Sequence, residues 1–438
     1  MIQQNHQQQE SSPEEIPLST SQTILISLQH IFVSNVWLDP IFVASAAGLS
    51  LALSTNLISA IFLASGLVTI LQASKLARLP IVQGPSAAFD ALMISAGKTG
   101  GLPAAGGAVF LSGFIVLLMS LFGWVHRLAK KLTPAINGTI IFLVGISLSS
   151  FTMSELLGGT PGTKGFASPN VLLVAVTTTL IVVLGSLFGR GYWRKFSFLL
   201  ALVVGNLLAA SLGMIDLSSV QSQPFFGLPR LFPYGLFRFN WAIFLTFFIA
   251  YLVAVIEALG VYEASADVTK EELSAKRISR GIAGEAGGSM LSSLIGGFPT
   301  TAFAQNLGFM KLTGVHSRKP ILLAGGLLIL LGFVPKFAAV LALTPAPVIG
   351  GMFLPAAATL LTTGFATLQK ADKGEATRMS IGLSLLLAIA LPSYAKGFSG
   401  IYQSLFSNSI LVGALSIVTL HVLLIVVPGF FGGKKNHE

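Results

Sequence analysis

Six side chains in this 438-residue chain are of types that handle protons or read a polar ligand, yet lie in or beside apolar sequence: His30, Asp90, Glu257, Glu285, Gln305 and Asn306. Ionisable groups inside apolar segments are costly and point to function by default. Glu257 lies in Ala254-Val255-Ile256-Glu257-Ala258-Leu259-Gly260. A carboxyl held there can take up and release a proton and can accept a hydrogen bond from a ring N–H. The alternative is a structural carboxyl paired with a neighbour such as His30. Glu285 is flanked by Gly284, Ala286, Gly287 and Gly288, which permit close contact; it is a second member of a proton or hydrogen-bond network, or a structural carboxyl. Asp90 either binds a proton or caps a helix. Gln305-Asn306 offers donors and acceptors side by side, although such amides also tie helices together. Glu263 is nearer a segment end and is expected to be solvated. Enzyme chemistry is poorly served. With no cysteine there is no thiolate nucleophile or thiolate metal site, no H-E-x-x-H is present, and nothing in the sequence brings a Ser and a His together. The expectation is neither an enzyme nor a metal or cofactor protein.

The elements that position these groups must be solvated by lipid. Hydrophobic residues make up 53% of the chain and charged ones 10%, against about 25% charged in soluble domains. Apolar runs of about 20 residues, each able to cross a hydrocarbon core of roughly 30 Å, recur as fourteen segments between 23 and 430. They include 23–46, 80–97, 298–313, 319–335 and 337–364. The predicted class is an all-α polytopic membrane protein, and 46 glycines suit close helix packing in it. The N-terminus, Met1 to Thr20, has no Lys or Arg and so lacks the basic start of a cleaved leader. The net charge of +10 raises the question of nucleic acid, but the basic residues are spread over short loops. Starting from a cytoplasmic N-terminus, twenty of the 26 Lys and Arg fall on the cytoplasmic side, as the positive-inside rule requires. A lipid bilayer is therefore the expected partner, nucleic acid is not, and both termini are expected in the cytoplasm.

Two stretches of the first half have echoes in the second. Pro85-Ser86-Ala87-Ala88-Phe89 resembles Pro299-Thr300-Thr301-Ala302-Phe303, and Pro134-Ala135-Ile136-Asn137-Gly138 resembles Pro347-Val348-Ile349-Gly350-Gly351, at nearly equal offsets. Seven spans separate the members of each pair, and an odd number reverses orientation, so the halves read as inverted repeats. The first pair breaks spans 3 and 10 with Gly, Pro and small polar residues. Extended backbone at membrane depth is tolerated where it is buried in protein or lines a cavity, and matched interruptions point to a transporter's substrate site. Two such segments could pair with each other and lead into half-helices whose N-terminal N–H groups point toward the centre. Ordinary proline kinks are the competing reading.

The run from Gly296 through Gln305-Asn306-Leu307-Gly308 to Thr313-Gly314-Val315-His316-Ser317-Arg318 closely resembles the nucleobase–ascorbate transporter family, the xanthine/uracil permeases, in its Q/E-N-x-G-x-x-x-x-T signature. Gln29-His30 resembles that family's Q-H motif, Glu257 with Gly260 its E-x-x-G, and Pro347 to Gly351 its P-V-x-G-G. The resemblance covers essentially the whole chain. It implies fourteen spans as two inverted sevens, with short extended segments in spans 3 and 10. It implies a polar cytoplasmic N-terminus (1–22), a core of spans 1–4 (23–124) and 8–11 (240–336), a gate of spans 5–7 (125–239) and 12–14 (337–430), and a cytoplasmic tail (431–438). Substrate would lie between the two extended segments, against Glu257, Gln305, Phe303, Ala304, Ala87 and Ala88, with Glu257, Glu285, His30, Asn306 and Asp90 as the proton-coupling network. The implied activity is symport of a purine nucleobase such as xanthine or urate with H⁺ across the cell membrane, by a protein that forms a homodimer as family members often do. Gln305 stands where uracil carriers have Glu and tilts the choice to purines. A uracil or other nucleobase carrier and an anion carrier of the related sulfate/bicarbonate type are the alternatives. Two positions depart from the family: Val261 replaces an Asp or His, and Ala87 replaces an aromatic. Both bear on coupling and substrate choice.

Overall fold

The computed structural model describes residues 18–125 and 133–428. Most of the polar N-terminus, the 431–438 tail, and the segment 126–132 with Arg127, Lys130 and Lys131 lie outside the described residues. In chain order the main helices of the first half are α1 (Thr20–Ser34), α2 (Leu38–Ala46), α3 (Leu51–Ser74), α4 (Asp90–Lys98), α5 (Leu102–Leu121), α6 (Pro134–Leu156), α7 (Pro169–Phe188) and α8 (Ser197–Ser211). Those of the second half are α9 (Trp241–Thr269), α10 (Ala275–Leu294), α11 (Gln305–Thr313), α12 (Lys319–Gly332), α13 (Pro335–Ala342), α14 (Ala346–Leu368), α15 (Glu375–Tyr394) and α16 (Ser409–His421). Short strands β1 (Gln83–Pro85) and β2 (Thr300–Ala302) precede α4 and α11. Helix starts are set by polar caps: the side chains of Ser50, Thr133, Asn240, Ser274 and Asn408 each accept a hydrogen bond from a backbone N–H in the first turn.

Among the described residues, nine helical segments are long and apolar enough to cross a membrane, and the pair α12–α13 makes a tenth if counted as one bent span. Outward faces are apolar: on α7, Leu173, Val176, Leu180, Leu184 and Leu187 are all exposed, a distribution suited to hydrocarbon and not to water. Three expected segments are differently bounded. The 23–46 segment is interrupted at Asn35, whose left-handed backbone (φ 53°) ends α1. The 319–335 and 337–364 segments resolve into α12 and α13, bent by 82° at Phe333–Val334, and a separate α14. The cause is Pro335, which lacks an N–H and excludes helical backbone from the residue before it.

The two sequence echoes become two contacts between chain halves. β1 and β2 form an antiparallel pair in the register Gln83↔Ala302, Gly84↔Thr301 and Pro85↔Thr300. The ladder extends through Ser86 N to Pro299 O at 2.9 Å and Phe303 N to Val82 O at 3.0 Å. α6 and α14 pack antiparallel through glycines. A Cβ on Gly138 would meet Leu368 at 2.8 Å, one on Gly145 would meet Leu361 at 2.9 Å, and one on Gly364 would meet the Phe142 backbone at 2.6 Å. At Gly350 an added Cβ would overlap the backbone of Leu156. In lipid, where helices gain no hydrophobic drive from meeting, this close approach supplies the attraction. Spans 3 and 10 are thus broken and paired, not kinked continuous helices.

Candidate functional site

The pairing of β1 with β2 leaves the outer backbone groups of each strand to be satisfied by side chains, as buried peptide groups must be. Thr69 on α3 accepts from Gln83 N (2.9 Å), Ser289 on α10 accepts from Thr300 N (3.1 Å), and the Ser292 hydroxyl donates to Phe298 O (2.8 Å). On α10, Glu285, Ser289 and Ser292 follow the i, i+4, i+7 spacing of one helix face, and all three are buried. That face is the wall against which the extended segments lie.

Glu285 is the centre of a hydrogen-bond network. It accepts from the Tyr262 hydroxyl at 2.7 Å and from Gln83 Nε2 at 3.1 Å. Gln72 on α3 in turn donates to the Tyr262 hydroxyl (2.9 Å) and to Gly281 O (2.7 Å). Glu285 therefore holds a strand residue through its side chain and links it to α9 and α3. Tyr262, Gln72, Gln83, Thr69, Ser289 and Ser292 were not singled out from sequence. Their signal was present in Thr69 and Gln72, three residues apart in apolar α3, and in the polar stripe on α10.

His30 and Asn306 form a second tie. Asn306 Nδ2 lies 3.0 Å from His30 Nδ1 and 3.0 Å from His30 O. Both residues are buried, and the His30 ring meets Phe309 edge-on at 4.8 Å. This contact fastens α11 to α1. His30 therefore pairs with Asn306 and not with Glu257, the partner considered from sequence.

The remaining face of α11 is open. Ala304, Gln305 and Gly308 are exposed, while Asn306, Leu307, Phe309 and Met310 are buried. On α9, which packs against α11, Glu257 is half-buried, Gly260 is exposed, and Glu263 is exposed as expected of a solvated residue. No atom lies within 4 Å of where a Cβ would stand on Gly260 or Gly308. Neither Glu257 nor Gln305 makes a hydrogen bond with a described residue. Thr301 Oγ1, 3.5 Å from Ala254 O, joins β2 to the helix that carries Glu257.

Other predicted contacts come out differently. Ala88 and Phe303 are buried and Ala87 is half-buried. The Phe303 N–H is already engaged by Val82 O, so it is not free for a ligand, and its ring lies over Gly84, where a Cβ would overlap it. Asp90 does not cap α4. It is the first residue of that helix, makes no capping hydrogen bond, is fully buried, and neither carboxylate oxygen has a partner among the described residues. Its acidic neighbour is Asp39 on α2. Val261, one turn beyond Glu257, is buried and apolar. No group of three or more His, Cys, Asp or Glu that could hold a metal occurs among the described residues.

Residues 21–397 match the profile described as Permease family (Xan_ur_permease). The chain belongs to this family. It is 31% identical over 413 residues to the uric acid permease PucK of Bacillus subtilis, covering 91% of this chain and 95% of that one. It is likewise 31% identical over 416 residues to the putative purine permease CPE0397 of Clostridium perfringens, covering 93% and 91%. It is 27% identical to the xanthine permease of B. subtilis, covering 92% and 93%. Among solved structures, the fold resembles the transmembrane domain of the cyanobacterial bicarbonate transporter BicA, with a TM-score of 0.58 at 18% identity over 92% of this chain and 99% of that one. It also resembles the murine anion transporter Slc26a9 in its inward-facing state, with a TM-score of 0.63 at 13% identity over 94% and 69%. Both likenesses are of fold. The permease is a multi-pass membrane transporter and not an enzyme.

Proposed function

We propose that this permease carries a purine nucleobase, of the xanthine or urate type, in symport with H⁺ across the cell membrane. The single observation that carries the reading is the open face of α11: Gln305 and, on the adjoining helix α9, Glu257 keep their polar atoms unengaged among the described residues, beside a paired, broken-helix centre. A purine edge alternates ring N–H and carbonyl groups. Glu257 would accept the N–H and bind the proton, and the Gln305 amide, with donor and acceptor on one group, would read the adjacent edge. Asn306 and Glu285 act one step back, holding α11 and β1 in place; Asp90 and His30 complete the network. Ala304, Ala87, Ala88 and Phe303 form the walls. The uric acid and xanthine permeases among the relatives support the substrate class. An anion carrier would place a cation at the α11 N-terminus, where this chain exposes an alanine and a glutamine.

The architecture that would move this site has fourteen crossings in two inverted halves. The nine long helices, the bent α12–α13 pair, the shorter α8, the more polar α10, and the two strand–helix breaks leading into α4 and α11 supply them. The two-fold character of the β1–β2 ladder and of the α6–α14 crossing supports the inversion. A core of 23–124 and 240–336 would slide against a gate of 125–239 and 337–430, in a homodimer with both termini in the cytoplasm.

The test is radiolabelled xanthine and urate uptake in a permease-null bacterial strain, with a panel of unlabelled bases as competitors and a protonophore arm. Uptake should collapse with the protonophore and with Glu257→Ala, and Gln305→Glu should shift preference away from oxidised purines. Unchanged transport by the Glu257 variant removes it from the site, and uptake insensitive to the protonophore but dependent on Na⁺ removes the proton.

A further inference from the structure

Away from the substrate centre, four arginines from three separate stretches of the chain converge on one cavity of about 270 Å³, lined by Leu76, Arg78, Glu271, Arg277, Arg280 and Arg318. The positive-inside rule accounts for arginines on this side of the membrane but not for their gathering around a single hollow. Arg277 is spent on architecture. It donates to Ala77 O (2.9 Å), Arg78 O (3.2 Å) and Glu272 O (2.5 Å), and pairs with Glu271 at 2.6 Å, so the one acid in the lining is already neutralised. The same clamp, with Arg78 N donating to Gln72 O at 2.8 Å, fixes Arg78 in a left-handed backbone (φ 55°). Arg78, Arg280 and Arg318 remain, and their side chains make no hydrogen bond or ion pair among the described residues. Two helices also begin beside the cavity, α10 at Ala275 and α12 at Lys319, adding the partial positive charge of their N-termini.

We propose that this cavity binds a phosphate-bearing anion, through charge-assisted hydrogen bonds from Arg78, Arg280 and Arg318. Guanidinium groups match phosphate oxygens in a planar, two-pronged geometry that lysines do not reproduce. The volume is below that of usual small-molecule pockets, roughly 300–1,000 Å³, and so suits a headgroup or a small phosphate and not a nucleotide. The cavity opens at helix ends, where phospholipid headgroups lie, with Leu76 as an apolar wall. A phosphatidylglycerol headgroup and a soluble phosphate share this chemistry. A bound anion would join the ends of α3, α9, α10 and α12, all within the segments assigned to the moving core.

The experiment uses the purified full-length protein and reads binding, not transport, so it stands apart from the substrate assignment. Native mass spectrometry counts phosphatidylglycerol retained from mixed phosphatidylglycerol/phosphatidylcholine micelles. Thermal unfolding in neutral detergent is followed with inorganic phosphate or chloride at matched ionic strength. Retention of phosphatidylglycerol identifies the lipid source, and a phosphate-specific rise in the midpoint identifies the soluble one. In either arm Arg280→Gln with Arg318→Gln should weaken binding by at least about tenfold, the loss expected from two charge-assisted bonds. Lys270→Gln with Lys276→Gln, removing the same charge from outside the cavity, should bind as wild type. Arg280→Gln alone, at an exposed position, serves if the double variant does not fold. Equal binding by wild type and the arginine variants overturns the proposal, as does an equal loss in the lysine pair.

Discussion

Replacing Glu285 separates its structural work from any protonic work. In Glu285→Ala the Tyr262 hydroxyl and the Gln83 amide lose their acceptor. A buried donor left unsatisfied costs about 1–3 kcal/mol, so the pair predicts about 2–6 kcal/mol of destabilisation, before any cavity term. Gln83 carries the side chain of the strand that pairs with Ala302, so the damage should reach the β1–β2 ladder and uptake should fall with stability. Glu285→Gln should behave quite differently. Both donors meet the same oxygen, Glu285 Oε1. A glutamine at 285 whose carbonyl oxygen takes that place accepts from Tyr262 and from Gln83 Nε2 without any rearrangement. Its stability should lie within about 1 kcal/mol of wild type. Thermal unfolding of the purified protein, read from tryptophan fluorescence, measures both, with uptake in a permease-null strain beside it. A Glu285→Ala protein as stable as wild type refutes the network's role, and a Glu285→Gln protein as unstable as Glu285→Ala refutes the reading that an acceptor oxygen, and not the charge, is what Tyr262 and Gln83 need. If Glu285→Gln is stable yet no longer driven by the proton gradient, Glu285 carries charge as well as structure.

Asn306→Ala should lower stability by about 1–3 kcal/mol, because both contacts to His30 are lost and the His30 carbonyl is left buried; thermal unfolding checks it, and uptake should weaken as α11 loosens. Asp90→Asn should unfold within about 1 kcal/mol of wild type, since neither carboxylate oxygen has a partner to lose, while protonophore-sensitive uptake should fall if Asp90 takes part in coupling; a large stability loss would point to an unrecognised partner. Gly350→Val should abolish membrane-inserted folded protein, because its side chain would overlap the Leu156 backbone. Gly382→Ala, exposed on α15 with no atom within 4 Å of the added Cβ, should be tolerated; size-exclusion profiles of the two variants decide between packing and chance.

Much of this protein was legible in its residues alone. Lipid solvation requires long apolar runs, so composition and run length dictated a helical multi-pass protein. Proline and glycine at Gly84-Pro85 and Gly297-Phe298-Pro299 dictated where helices break, because a missing N–H and a missing Cβ act locally. The Gln305-Asn306 signature named the family for the same reason: its spacing is a property of the chain. What only the tertiary structure decided is which polar atoms are spent and which are free. Asn306 and Gln305 are adjacent in sequence, yet one is buried against His30 and the other exposed; the helical rotation of about 100° between neighbours sends them to different faces. Glu285 and Glu257 look alike as acids in apolar sequence, but the first is committed to Tyr262 and Gln83 while the second keeps its oxygens. Hydrogen bonds between residues far apart in the chain depend on how helices pack, and packing is a sum over many contacts that no local pattern encodes.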